Sequence, residues 1–198
     1  MARPRASDHD AKRQMILDKS AELFAANGYA RTSISEIAEA CGSSKALLYH
    51  YYANKEQLLF DILNAHFSGL ITVLNEADQP DLPPEIRLRD LVRALMEAYE
   101  GADATHKVQL HDLTLLPPER QKEIKAMERD IVRRFSEALR AINPKLDADR
   151  KLLKPVTMSL FGMMNWHYLW FRPSGALTRE GFADLITDMI IVGARKVA

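Results

Sequence analysis

Apolar residues recur at three- and four-residue intervals along almost the whole chain, and apolar-polar alternation long enough for a strand is nearly absent. From Asp8 to Asn27, Met15, Ile16, Leu23, Phe24 and the stem of Lys19 fall at helical spacing, and Gly28 stands where a left-handed residue closes a helix. Ser33-Ile34-Ser35-Glu36 then opens a second helix. A serine side chain there can accept one free backbone N–H while Glu36 reaches back to another, which is a capping box. Gly42 stops this helix about two turns later. Ser43 or Ser44 can cap a third short helix, Lys45–Tyr51, and Asn54 a long one from Lys55 to about Ala77.

The clearest break follows, at Gln79-Pro80-Asp81-Leu82-Pro83-Pro84, because proline removes a backbone donor and disfavours helical geometry in the residue before it. Beyond it the pattern predicts helices over Pro84–Glu100, Asp103–Leu115, Pro117–Ile142, Asp147–Arg172 and Thr178–Val197. Pro117-Pro118 opens its helix where missing N–H groups matter least, whereas Pro155 is expected to bend the helix it enters. Pro173-Ser174-Gly175 reads as a tight reverse connection that lays the last two helices antiparallel. The expectation is an all-α chain of about nine helices in two domains, residues 1–55 and 56–198.

Composition adds little to this picture but excludes several classes. At 198 residues, 47% apolar and 27% charged, the chain can bury a real core. Net charge is zero, and Met1–Lys55 carries eight Lys and Arg against six Asp and Glu, too small an excess to argue from. The single cysteine, Cys41, cannot form an intrachain disulfide and points to a reducing, cytoplasmic setting, as a buried filler. MARPRASDHD has no apolar stretch behind its arginines, so no signal peptide is expected. The most apolar run, Met158–Phe171, is shorter than the roughly 20 residues that span a bilayer and reads as a core helix. His106 and His111 lie five apart, a poor spacing for a shared metal, so no metal and no cofactor are expected.

Two short helices around a glycine turn are the geometry of a helix-turn-helix, whose second helix offers its N-terminal end to the DNA major groove. Ile34, Ile37, Ala38 and Leu48 form the inside, with Ala38 small where the helices cross. Ser44, Lys45, Leu47, Tyr49 and His50 remain outside, mostly hydrogen-bonding groups. The run TSISEIAEACGSSKALLYHYYANKEQL from Thr32 to Leu58, with ILDKSAELFAANGYARTS before it, resembles the DNA-binding domain of the TetR family. The resemblance implies a two-domain homodimer in which a ligand-binding domain controls the DNA-binding one. By position, it implies base contacts from Lys45, Ala46 and Leu47, and contacts to phosphate or its neighbourhood from Ser33, Ser44, Tyr49, His50, Tyr51 and Lys55. Leu47 departs from the Gly, Ala or Thr common there; a leucine can meet a thymine methyl but cannot hydrogen-bond a base. Tyr52 reads as packing, and Arg3 and Arg5 either enter a minor groove or belong to a free tail.

The last two predicted helices carry Phe161, Met163, Met164, Trp166, Leu169 and Trp170, then Leu185, Ile186, Met189, Ile190 and Val192. Helices apolar on several faces need covering on several faces, so they are expected to pair with a second copy in a homodimer. LFGMMNWHYLWFRPSGALTREGFADL, with LTLLPPERQKEIKAMERDIVRRF before it, is similar to TetR regulators that sense coenzyme A thioesters. That similarity implies an acyl- or aryl-CoA effector. Pocket candidates are Met96, Tyr99, Leu110, Met127, Ile131, Met163, Trp166 and Trp170, with Arg133, Arg134 or Arg172 for phosphates. The expected partners are double-stranded operator DNA, a second copy and a small-molecule effector, with no membrane. The rival readings are an enzyme, for which the sequence holds no GxSxG, phosphate loop, HExxH or Rossmann glycine motif, an effector-independent architectural protein, and a repressor sensing hydrophobic drugs.

Overall fold

The computed structural model describes residues 4–196 apart from 149, 150 and 173, with side chains from residue 9 onward. Arg3 lies outside the described residues, as does the side chain of Arg5. Among the described residues ten α-helices follow one another: α1 Pro4–Asn27, α2 Ile34–Ala40, α3 Lys45–Tyr51, α4 Lys55–Ala77, α5 Pro84–Ala98, α6 Asp103–Asp112, α7 Pro118–Ile142, α8 Lys145–Ala148, α9 Leu153–Asn165 and α10 Arg179–Lys196. Short 3-10 turns extend α6 at Leu113–Leu115 and follow α9 at His167–Leu169. Among the described residues there is no strand.

The segment predicted as one helix from Asp147 to Arg172 is instead a single turn, a break and α9. The early end has a local cause. The His167 ring Nδ1–H donates to the Met164 carbonyl at 2.8 Å, satisfying a C-terminal carbonyl that the next helical N–H would otherwise take. The chain then tightens into the 3-10 turn, with Leu169 N–H on Trp166 O. Pro155 is the third residue of α9, where its missing N–H has no intrahelical partner to lose, so the bend expected of it has no cause there.

The chain divides into two compact units, one running up to Phe67 and including Gly101–Lys125, the other Ser68–Glu100 with Ala126 onward. This differs from the expected break at residue 55, because α6 folds back onto α1. The first unit closes around Ile16, Leu17 and Phe24 of α1, Ile37, Leu48, and Leu58, Leu59 and Leu63 of α4, all at or near zero exposure. Each such side chain contributes about 1.5–3 kcal/mol. In the second unit α5 packs on α10 through Leu88, Leu91, Val92 and Leu95, and α9 adds Leu160 and Met164. Ion pairs stitch the same seam: Asp184 accepts from Arg93 at 2.6 and 2.8 Å and from Arg89 at 3.1 Å, and Arg89 also meets Asp188. These guanidinium bonds, Arg93 first, hold the Asp184 carboxyl down at about 2.

Candidate nucleic-acid interface and effector region

Helices of seven residues are too short to be stable alone, so α2 and α3 depend on their ends and on burial. At α2 the capping box is complete: Ser33 Oγ accepts from Glu36 N–H at 3.2 Å, and Glu36 Oε2 accepts from Ser33 N–H at 2.6 Å. Those bonds from Ser33 lower the Glu36 pKa. Gly42 turns the chain at φ +56°, and Ser43 N–H reaches back to Ala38 O. Ser44 is the cap of α3, its Oγ accepting from Leu47 N–H at 3.1 Å, while Ser43 Oγ donates to Cys41 O. Asn54 Oδ1 caps α4 by accepting from Gln57 N–H at 2.8 Å. Ile37, Ala38 and Leu48 are buried and Ile34 is half-buried.

What α3 leaves outside is Ser44, Lys45, Ala46, Leu47, Tyr49 and His50, all exposed, with Ser33 exposed at the start of α2. Lys45 Nζ lies 5.9 Å above the Tyr49 ring. Tyr51 is half-buried, its ring 4.8 Å from His9 and 5.8 Å from His50. Tyr52 is sealed at 1% exposure, and burial pushes its hydroxyl up to about 12. Lys55 is placed otherwise than a free phosphate ligand. Its Nζ donates to the carbonyls of Tyr29 at 2.6 Å, Thr32 at 3.0 Å and Ala30 at 3.3 Å, and stands 4.3 Å over the Tyr29 ring. Three protons meet three carbonyls, which leaves little for an anion. No local sequence pattern marks this long-range bond.

The pocket candidates scatter. Leu110 is exposed and belongs to the first unit, while the other seven belong to the second. Met96, Tyr99 and Ile131 are buried, and Met127 and Met163 half-buried. Trp166 and Trp170 are more than half exposed, as is Leu169, so the two tryptophans suit a covered outer face better than a cavity wall. Tyr99 Oη donates to Asn165 Oδ1 at 3.1 Å and its ring stacks on His167 at 5.9 Å; burial raises its pKa. Since His167 Nδ1–H is committed to Met164 O, its Nε2 accepts from Arg179 Nη1 at 2.7 Å.

Arg179 was not a sequence candidate. It opens onto a cleft of about 460 Å³ floored by Met96, where Arg93 and Arg179 face Glu97, Glu100 and Glu180. Besides His167, the Arg179 guanidinium reaches the Met96 carbonyl at 3.5 Å and lies 5.1 Å over the Phe171 ring. Arg133 and Arg134 are engaged: Arg133 with Asp130 and Glu137, and Arg134 with Asp130 and Asn75. Arg172 is exposed. No cluster of three or more metal-ligating side chains occurs among the described residues.

A capped helix-turn-helix with a bared second helix, followed by a larger helical unit, defines a two-part DNA-binding regulator. The chain belongs to the tetR family: residues 16–62 match the model for bacterial regulatory proteins of that family, and residues 81–194 the tetracyclin repressor-like C-terminal domain. It is a transcriptional regulator and not an enzyme, as its relatives are regulators. The HTH-type transcriptional repressor KstR2 of Mycobacterium tuberculosis is 24% identical over 202 residues, covering 96% of each chain. The putative mycofactocin biosynthesis regulator MftR of the same species is 32% identical over 93 residues, 47% of this chain and 44% of its own length. Among solved structures, a TetR-family regulator from Bordetella parapertussis superposes with TM-score 0.85 at 32% identity, covering 90% of this chain and 93% of that one. AibR in complex with isovaleryl coenzyme A and operator DNA superposes with TM-score 0.77 at 32% identity, covering 90% and 97%.

Proposed function

We propose that the protein is a repressor that binds a palindromic operator as a homodimer and is released by a small-molecule effector, an acyl- or aryl-CoA thioester of a catabolic pathway. The observation that carries the DNA-binding half is α3, fixed by Leu48 and the Ser44 cap, presenting an uninterrupted exposed face. Ser33, Ser44, Tyr49, His50 and Tyr51 are assigned to the backbone, Lys45, Ala46 and Leu47 to base edges. Lys55 acts behind them, holding the segment between α1 and α2 in place. The dimer half rests on α10, where Leu185, Met189 and Val192 stand at i, i+4 and i+7, each about half exposed. That stripe, continued by Met158, Trp166, Leu169 and Trp170, is a large apolar area to leave in water. Pairing through α9 and α10 would set two α3 helices about 34–36 Å apart, one turn of DNA. The site of action is the cytoplasm, where the operator is.

The effector reading is supported by the likeness to AibR, which is known with isovaleryl coenzyme A. Met96, Met127 and Met163 give the second unit adaptable apolar surface for an acyl or aryl group, with Tyr99 and Ile131 among the same candidates. Arg179, held from behind by His167, is a cation suited to a phosphate or thioester oxygen. The effector acts only as far as it binds the DNA-incompetent state better. The test is fluorescence anisotropy on a labelled operator with calorimetry on the free protein. Release of DNA by one member of a CoA-thioester panel, with matching heat and a raised melting temperature, supports the proposal. Silence across the whole panel removes the CoA effector and leaves the DNA-binding reading standing.

A further inference from the structure

The middle of the exposed α3 face has no side-chain hydrogen-bonding group. Ser44 Oγ is occupied by Leu47 N–H, and Lys45 Nζ leans toward the Tyr49 ring, so the polar groups gather at the ends. Between them Ala46 and Leu47 offer only methyl and methylene surface, and Leu47 is 38% exposed. An isolated exposed leucine needs no explanation on an ordinary surface. Here its neighbour Leu48 is fully buried and the helix is capped at Ser44 and closed by Tyr52 N–H on Leu48 O, so the side chain projects from a fixed point.

The major groove displays donors, acceptors and one apolar group, the C5 methyl of thymine. We infer that Leu47, flanked by Ala46, is a specificity-determining residue that reads the C5 methyl of a thymine in each operator half-site. The inference rests on the proposed docking of α3 in the major groove and deepens it. A leucine at this place rejects guanine, adenine and cytosine passively, since their polar edges lose water against it without gaining a partner. It accepts thymine because two apolar surfaces leave water together.

The full-length protein is first used to select its operator from a random double-stranded DNA library. Each thymine of the selected half-site is then replaced by deoxyuridine, which deletes the methyl and keeps every hydrogen-bonding edge. Burying one methyl corresponds to about fourfold in affinity, so symmetric replacement in both half-sites is expected to weaken binding about 15-fold. The effect should occur at one or two positions and vanish in Leu47→Ala. Leu47→Thr, which keeps one methyl, should retain part of it. Deoxyuridine that is silent at every position, or a loss that persists unchanged in Leu47→Ala, overturns the inference while leaving the operator intact. Selection of no sequence at all overturns the DNA-binding reading and this inference with it.

Discussion

The exposed faces of α3 and α10 are opposite solutions to the problem of holding a surface ready for a partner. The α3 face is short and largely polar, and a seven-residue helix keeps it in shape through the Ser44 cap and a single buried leucine. The α10 face is an apolar stripe on an eighteen-residue helix, backed by Ile186, Ile190 and Ala194 and by carboxylates gripped by Arg89 and Arg93. A polar face loses little by waiting in water, so its helix can be small. An apolar face is unstable in water until covered, so it needs a large core behind it and a partner in front. The contrast separates recognition that must be reversible from association that must last.

The largest effect should come from the apolar stripe. Leu185→Asp with Met189→Asp is expected to abolish the homodimer at micromolar concentration, read by light scattering after size exclusion, and to weaken operator binding more than a hundredfold. A variant that stays dimeric would move the interface elsewhere. Next is acid sensitivity inside the first unit. His66 of α4 is half-buried, with its ring beside Gln109 and His106 of α6. Burial first, then His106 at a ring distance of 6.4 Å, pushes its pKa from 6.5 down to about 4. The unfolded chain therefore binds the proton that the folded one refuses. Stability is complete above pH 6.5 and falls by about 3 kcal/mol as pH drops toward 4. Urea unfolding of His66→Leu should show a flatter profile over that window.

Smaller effects test the polar face. Lys45→Ala should lose about 1–3 kcal/mol of operator affinity and relax preference at one base pair, while leaving the dimer untouched. An unchanged preference would move Lys45 to the backbone-contact group. Smallest is Ser33→Ala, which removes half of the capping box and should lower stability by about 1 kcal/mol in thermal or urea unfolding.

Much of this was legible because it is local. The Ser33–Glu36 box, the Asn54 cap, the left-handed Gly28, the helix stop at Gly42 and the break at Pro80–Pro84 are each decided within a few residues, and each is where the sequence reading put it. The differences between the sequence reading and the structure come from bonds between distant residues or from side chains reaching back to the main chain. Leu110 is a pocket candidate by residue type alone, and the packing of α6 on α1 places it in the first unit. The run from Met158 to Phe171 is mostly apolar, with Asn165 and His167 inside it, and composition alone did not reveal that His167 ends the helix. Lys55 was read by its place at a helix start, where an anion is usual, and its three carbonyl partners lie 23 to 26 residues away.

That ammonium is also a mechanical coupling. Because Lys55 belongs to the first turn of α4 and grips the main chain at Tyr29, Ala30 and Thr32, the start of α4 and the approach to α2 are pinned together. A shift of that end of α4 therefore carries the Tyr29–Thr32 segment with it rather than being absorbed as slack in the loop. Lys55→Met would keep the length and cut the pin, freeing the Tyr29–Thr32 segment from the start of α4.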